Sequence, residues 1–312
     1  MFRTALTIFA PLFLIVAAQA QTVDPLDSIN IPGITNYAPS QRTSPLIDRT
    51  NAGELLLDAV LTVDSEPLSD GIVWRIYNSE MVPGEDSLRL VAKSKGGGGR
   101  FLLERGDYII HAAFGRATAT KKVSVGGETL NDVLVLDAGG LLLDAELPDG
   151  TSPRSELLRF DVFSINESTG EHTLVIPSVQ QRHLVRLPAG TYHVKSTYGS
   201  HNAEIRADLR VEPGKTVEAT IKHQAAYAAF ELVREVGGLP LADTAWSIYT
   251  PSGDIIVEHA GPSPSAILAA GTYTVIAENR DRIFEREVEI QGGADLEIEI
   301  LATGGYDRTD EG

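Results

Sequence analysis

The sequence predicts an all-β protein of three tandem immunoglobulin-like or prealbumin-like antiparallel β-sandwich units, and three observations carry that prediction. Trp74-Arg75-Ile76-Tyr77 returns as Phe160-Asp161-Val162-Phe163 and again as Trp246-Ser247-Ile248-Tyr249, a period of about 85 residues. Gly106-Asp107-Tyr108 returns in the same order as Gly190-Thr191-Tyr192 and Gly271-Thr272-Tyr273. Between these markers, apolar and polar residues alternate with a period of two, the pattern of strands with one face on a core and one in water. About seven short strands per period, with turns 8 to 12 residues apart, is the arithmetic of a β-sandwich.

Residues 1–20 open with one base, Arg3. An apolar run from Ala5 to Ala17 follows, and Ala18-Gln19-Ala20 closes the segment. A short apolar region between a positive charge and a small-x-small site predicts a cleavable signal peptide, because the run is short for a membrane span and Pro11 interrupts it. The mature chain is therefore expected to be exported, to the periplasm or beyond the cell, with no membrane span after cleavage. Residues 21–50 carry Pro25, Pro32, Pro39 and Pro45 among polar residues and hold no period, so a flexible leader is expected there.

Unit 1 is placed at 51–137 and opens on Gly53-Glu54-Leu55-Leu56-Leu57-Asp58-Ala59-Val60-Leu61. Unit 2, at 138–226, opens on the related Gly140-Leu141-Leu142-Leu143-Asp144-Ala145-Glu146-Leu147. Within it, Ile205, Ala207, Leu209 and Val211 alternate with Glu204, Arg206, Asp208 and Arg210 up to a Pro213-Gly214 turn. Unit 3, at 227–303, ends on the alternating Leu296, Ile298 and Ile300, and residues 304–312 form a polar tail. The first junction, Asp137-Ala138-Gly139-Gly140, is short enough to predict a semi-rigid rod. The second, Lys222 to Ala229, reads as looser.

A net charge of −17 argues against a nucleic-acid partner, whose backbone requires clustered bases. The absence of cysteine excludes disulfides, thiolate metal sites and a cysteine nucleophile. Gly214-Lys215-Thr216 imitates the end of a phosphate-binding loop, but the required upstream glycine is Leu209 and the stretch is a β-turn. Gly261-Pro262-Ser263-Pro264-Ser265 fails the nucleophile-elbow pattern at its last position. His183, His193 and His201 lie close in sequence without a carboxylate at ligand spacing, and read as strand and turn residues rather than a metal site. Lys95-Gly96-Gly97-Gly98-Gly99-Arg100 is read as a floppy hairpin tip in preference to an anion nest.

The Gly-x-Tyr marker has a physical reading of its own. Leu187-Pro188-Ala189 leads into Gly190, where glycine permits a positive φ, and Tyr192 then buries its ring while its hydroxyl bonds back to nearby backbone, as in a tyrosine corner. Leu187-Pro188-Ala189-Gly190-Thr191-Tyr192-His193-Val194 and Ala269-Ala270-Gly271-Thr272-Tyr273-Thr274-Val275 resemble the core of carboxypeptidase-regulatory-like, prealbumin-type domains. With the Trp-x-Ile-Tyr strand they are similar to the tandem β repeats that follow von Willebrand factor A domains in some bacterial exported proteins. Unit 1 departs from the pattern, with Glu104-Arg105 before Gly106, and the Asp-x-Ser-x-Ser metal signature is absent. The resemblance implies binding, spacing or envelope-structural roles and transfers no catalytic residue.

One constellation remains as a candidate site. Trp74, Phe160 and Trp246 are expected to point into their cores, so Tyr77, Phe163 and Tyr249, one step off that parity, point outward. Outward aromatics repeated along a rod are suited to stacking on sugar rings or anchoring a partner, unless a loop or neighbouring unit covers them. The expectation is a non-enzymatic envelope protein, without cofactor, metal or catalytic set, that acts as a protein-interaction or scaffolding rod. The alternative is a carbohydrate-binding module for envelope or extracellular polysaccharide. The oligomeric state is left open.

Overall fold

The computed structural model describes residues 51–81, 87–166 and 168–307. The expected signal peptide, leader and most of the polar tail lie outside them. The described chain is all β, and one seven-strand plan occurs three times. Unit 1 contains β1 (Ala52–Val60), β2 (Ile72–Asn78), β3 (Leu90–Gly96), β4 (Gly99–Glu104), β5 (Gly106–Phe114), β6 (Ala117–Val125) and β7 (Leu130–Val135). Unit 2 contains β8 (Ala138–Glu146), β9 (Leu158–Ile165), β10 (His172–Val179), β11 (Leu184–Pro188), β12 (Gly190–Tyr198), β13 (Glu204–Val211) and β14 (Thr216–Lys222). Unit 3 contains β15 (Ala225–Val233), β16 (Thr244–Tyr249), β17 (Ile255–Ala260), β18 (Ser265–Ala269), β19 (Gly271–Asn279), β20 (Arg282–Ile290) and β21 (Leu296–Leu301), and the short β22 (Tyr306–Asp307) adds to its edge.

In each unit a three-stranded sheet faces a four-stranded one. The orders are β4-β1-β7 against β3-β2-β5-β6, β11-β8-β14 against β10-β9-β12-β13, and β18-β15-β21 against β17-β16-β19-β20, with β22 beyond β20. Pairing is antiparallel except that the first strand of each unit runs parallel to the last, β1 with β7, β8 with β14 and β15 with β21. That pairing draws the ends of the unit together, and in unit 1 it demands a glycine. A Cβ on Gly53 would lie 2.1 Å from the Gly126 carbonyl oxygen, and one on Gly139 in unit 2 would lie 2.3 Å from that of Glu212.

Alternation works as the period-two pattern requires: β4 and β11 show strictly alternating burial. The inward residues form three separate cores, around Trp74, Phe160 and Trp246. All three rings are essentially buried. Burying a large aromatic contributes on the order of 2–3 kcal/mol from area alone.

The glycine run is not a hairpin tip. β3 and β4 belong to different sheets, and Gly97 and Gly98 form the corner where the chain crosses between them. The corner is packed, because a Cβ on Gly97 would meet the Ser69 and Leu68 carbonyl oxygens at 2.5 and 2.6 Å.

Both junctions are two residues long, Leu136-Asp137 and His223-Gln224. At the first, the Arg116 N–H donates to the Arg186 carbonyl at 2.9 Å, and the Arg186 guanidinium lies 4.4 Å over the Phe114 ring. The second is not looser. Ala225 and Ile267 of unit 3 pack into the core of unit 2. Asn202 donates through Nδ2 to the Tyr273 hydroxyl at 2.7 Å and accepts the Ala269 N–H at 3.1 Å. Arg154 pairs with Asp295 at 2.5 Å and lies 4.2 Å over Tyr227. The stretch from Ala225 to Ala229, read as linker, is strand.

Candidate functional site

The four-stranded sheets carry the repeated signature, and their central strands position it. On the inner face, Trp74 donates its indole N–H to the Gly97 carbonyl and Trp246 donates to that of Gly261, each at 2.8 Å. Phe160 has no such donor and needs no acceptor. The tyrosine of each Gly-x-Tyr marker donates its hydroxyl to the carbonyl four residues upstream: Tyr108 to Glu104 at 2.9 Å, Tyr192 to Pro188 at 2.9 Å and Tyr273 to Ala269 at 2.8 Å. Burial pushes the Tyr108 and Tyr192 phenols above their ordinary range. The expected back-bond is therefore present in all three units. The expected positive φ is not shared: Gly271 takes it, at 155°, and Gly190 does not.

The outer face is where the units differ. The strand registers place each candidate aromatic in a row running across its sheet. In unit 2 the row is Leu174, Phe163, His193 and Asp208. In unit 3 it is Ile255, Tyr249, Thr274 and Glu287. In unit 1 it is Leu90, Tyr77, Ile109 and Lys122.

Phe163 and Tyr249 are half-buried, and beside each an edge-strand aliphatic, Leu174 or Ile255, is about half exposed. These pairs make outward apolar spots on polar sheets. The aliphatic members were missed in the sequence, and their signal was an apolar residue at outward parity on an edge strand. Tyr77 corrects the expectation of three available aromatics. It holds the outward parity but is only 2% exposed, so it offers no ring for stacking. Burial pushes its phenol above the ordinary range, and the Arg75 charge offsets part of that.

Around Phe163 the sheet gathers imidazoles. The His193 ring lies 6.2 Å from Phe163 and stacks on His172 at 4.5 Å, while its Nδ1 meets an Asp208 carboxylate oxygen at 2.7 Å. His183 and His201 are exposed. Among the described residues no three His, Asp or Glu side chains form a group able to hold a metal ion. No helix among them is long and apolar enough to cross a membrane. A further histidine is internal and pairs with a serine: the Ser196 hydroxyl and His223 Nε2 lie 2.7 Å apart, both fully buried. Such a pair resembles a nucleophile and its base, but burial leaves no room for a substrate.

Residues 227–302 match the model of the Rhizobiales growth-associated tandem repeat domain. No curated protein matches the chain. Among solved structures, the TIE protein of Bacillus anthracis is 19% identical with a TM-score of 0.23, the match covering 80% of this chain and 50% of that one. This chain thus spans about half the length of that relative. A streptococcal ancillary pilin is 11% identical over 82% of this chain and 99% of its own, with a TM-score of 0.32. The minor pilin GBS52 of Streptococcus agalactiae is 14% identical over 55% and 95%, with a TM-score of 0.30. The third β-sandwich is thus similar to that repeat domain, and the described residues form three β-sandwiches in tandem.

Proposed function

We propose that this chain is an exported, non-enzymatic envelope protein that acts as a protein-interaction or scaffolding rod. The observation that carries the reading is the construction of the two junctions. Each is a two-residue connection braced by side chains from both flanking units. Such bracing restricts swinging and presents the outer faces of successive units in a set relation, as a spacer or scaffold needs. The partner-facing residues on this reading are Phe163 with Leu174 and Tyr249 with Ile255.

The test is photo-crosslinking in cells from positions 163 and 249, beside co-sedimentation of residues 21–312 with envelope polysaccharide. A discrete protein adduct at either position, absent from a probe at the buried position 77, is the expected result. Saturable polysaccharide binding lost in Phe163→Ala/Tyr249→Ala, with no protein adduct, would replace this reading with a carbohydrate-binding one.

A further inference from the structure

Unit 3 is open along the side where its two sheets end in β20 and β21. Among the described residues neither edge is fully paired: β22 covers only Arg282 and Ile283 of β20, and β21 pairs with β15 alone. Between the edges lies a groove of about 600 Å³. Val288, Ile298 and Leu301 give it an apolar lining, and the exposed Glu287, Glu289 and Glu297 give it carboxylates.

The other units do not share this chemistry. In unit 1 an ion pair ties the two edges, Lys121 with Asp132 at 2.6 Å. The registers match those positions to Arg286 and Ile298 in unit 3, so the guanidinium finds no carboxylate there. Arg286 donates to the Glu299 carbonyl instead, and the Glu299 carboxylate accepts the Gly237 N–H at 3.1 Å. Glu287 also differs from its counterparts. Lys122 pairs with Asp107 and Asp208 with His193, whereas no ion pair among the described residues uses Glu287, Glu289 or Glu297. Residues 227–303 hold thirteen carboxylates, four arginines and no lysine, so no local cation remains to neutralise them.

We propose that this groove docks an extended segment of a partner protein in which Lys or Arg alternates with apolar residues. The segment adds to β20 as a strand along Glu285 to Ile290. Period-two alternation then turns its apolar side chains towards Val288 and Ile298 and its cations towards Glu287 and Glu289, with Glu297 across the groove. β22 already shows that this edge accepts an added antiparallel strand. An open edge is otherwise a template for any strand. The glutamates repel a second copy of this chain, of net charge −17, and select a cationic partner. The groove lies at the opposite edge of the sheet from Ile255, so this site stands independently of the aromatic faces.

The probe is the peptide Lys-Val-Lys-Val-Lys-Val, blocked at both ends and titrated into isotope-labelled residues 21–312 at low salt. Saturable amide NMR shifts confined to β20, β21 and the loop at Val236–Gly238 are the expected result. Glu287→Gln/Glu289→Gln/Glu297→Gln should weaken binding about tenfold, because three exposed charge pairs are lost. Unchanged amide spectra of β16 and β19 verify that this variant is folded. Spermidine carries the same three positive charges with no backbone to pair and no apolar side chain. It should leave these amides unsaturated at concentrations where the peptide saturates them. Spermidine binding equal to the peptide's reveals only general attraction to acid and overturns the proposal. So do peptide shifts centred on another unit, undiminished binding by the triple variant, and the absence of binding. Hydrogen exchange supplies a second readout: amides between Glu285 and Ile290 should slow about tenfold at saturation, and no slowing overturns the added strand.

Discussion

His223 makes the stability of unit 2 depend on mildly acidic pH. The imidazole is 1% exposed, its Nε2 meets the buried Ser196 hydroxyl at 2.7 Å, and the Tyr198 ring sits edge-on at 6.0 Å. Burial pushes its pKa from 6.5 down to about 4. Between those values the unfolded chain binds a proton that the folded chain does not, so stability falls as pH drops from about 6.5 towards 4 and the loss is complete below that. A displacement of this size corresponds to about 3 kcal/mol, a large part of a domain's stability. Glu212, held low by Lys215 at the β13–β14 turn, begins to lose its contribution only below its ordinary value of 4.5, at the acid edge of this window. Asp107, held low by the Ser124 hydroxyl and Lys122, and Asp149, held low by Thr151, lose their contribution only as pH falls below their ordinary value of 3.8.

Both tryptophans lie in units 1 and 3, so unit 2 is followed by urea-dependent hydrogen exchange of β12 and β14 peptides between pH 7.5 and 4. The wild type is expected to lose about 3 kcal/mol across that range. His223→Gln keeps a group that can bond Ser196 and removes the titration, so its profile should be nearly flat. NMR of the imidazoles gives the pKa directly. A His223 that titrates near 6.5 in the folded protein, or a His223→Gln profile as steep as wild type, would refute the reasoning.

Three further outcomes test the packing. Tyr192→Phe should cost about 1 kcal/mol through the lost bond to the Pro188 carbonyl. Tyr273→Phe should cost more, because its hydroxyl also accepts from Asn202 across the junction; thermal melts of the two variants rank them. Gly97→Ala forces a Cβ against two carbonyl oxygens at the sheet-crossing corner and should destabilise unit 1 by about 1–3 kcal/mol, read from Trp74 fluorescence in a Trp246→Phe background. Gly199→Ala places a Cβ 2.6 Å from that of Ile267 and should broaden the distance distribution between spin labels on units 2 and 3. The control Gly253→Ala, at a similar positive φ with open space around it, should leave that distribution unchanged.

The sequence by itself determined the repeat, the strand parity and the inward aromatics, because each is local. A period of two places Trp74 and Tyr77 on opposite faces whatever surrounds them, and Gly-x-Tyr carries its own acceptor four residues away. What parity cannot show is whether an outward side chain meets water. Phe163 and Tyr249 stay partly open and Tyr77 does not, although all three hold the same parity on equivalent strands. The glycine run likewise looks the same in sequence as a hairpin tip or as a corner. Only the assignment of β3 and β4 to different sheets, with the Leu68 and Ser69 carbonyls pressed on Gly97, makes it a corner. The second junction was misread for the same reason. Asn202, Arg154 and Ile267 reach it from distant parts of the chain, and composition around Lys222 carries no trace of contacts made between residues so far apart.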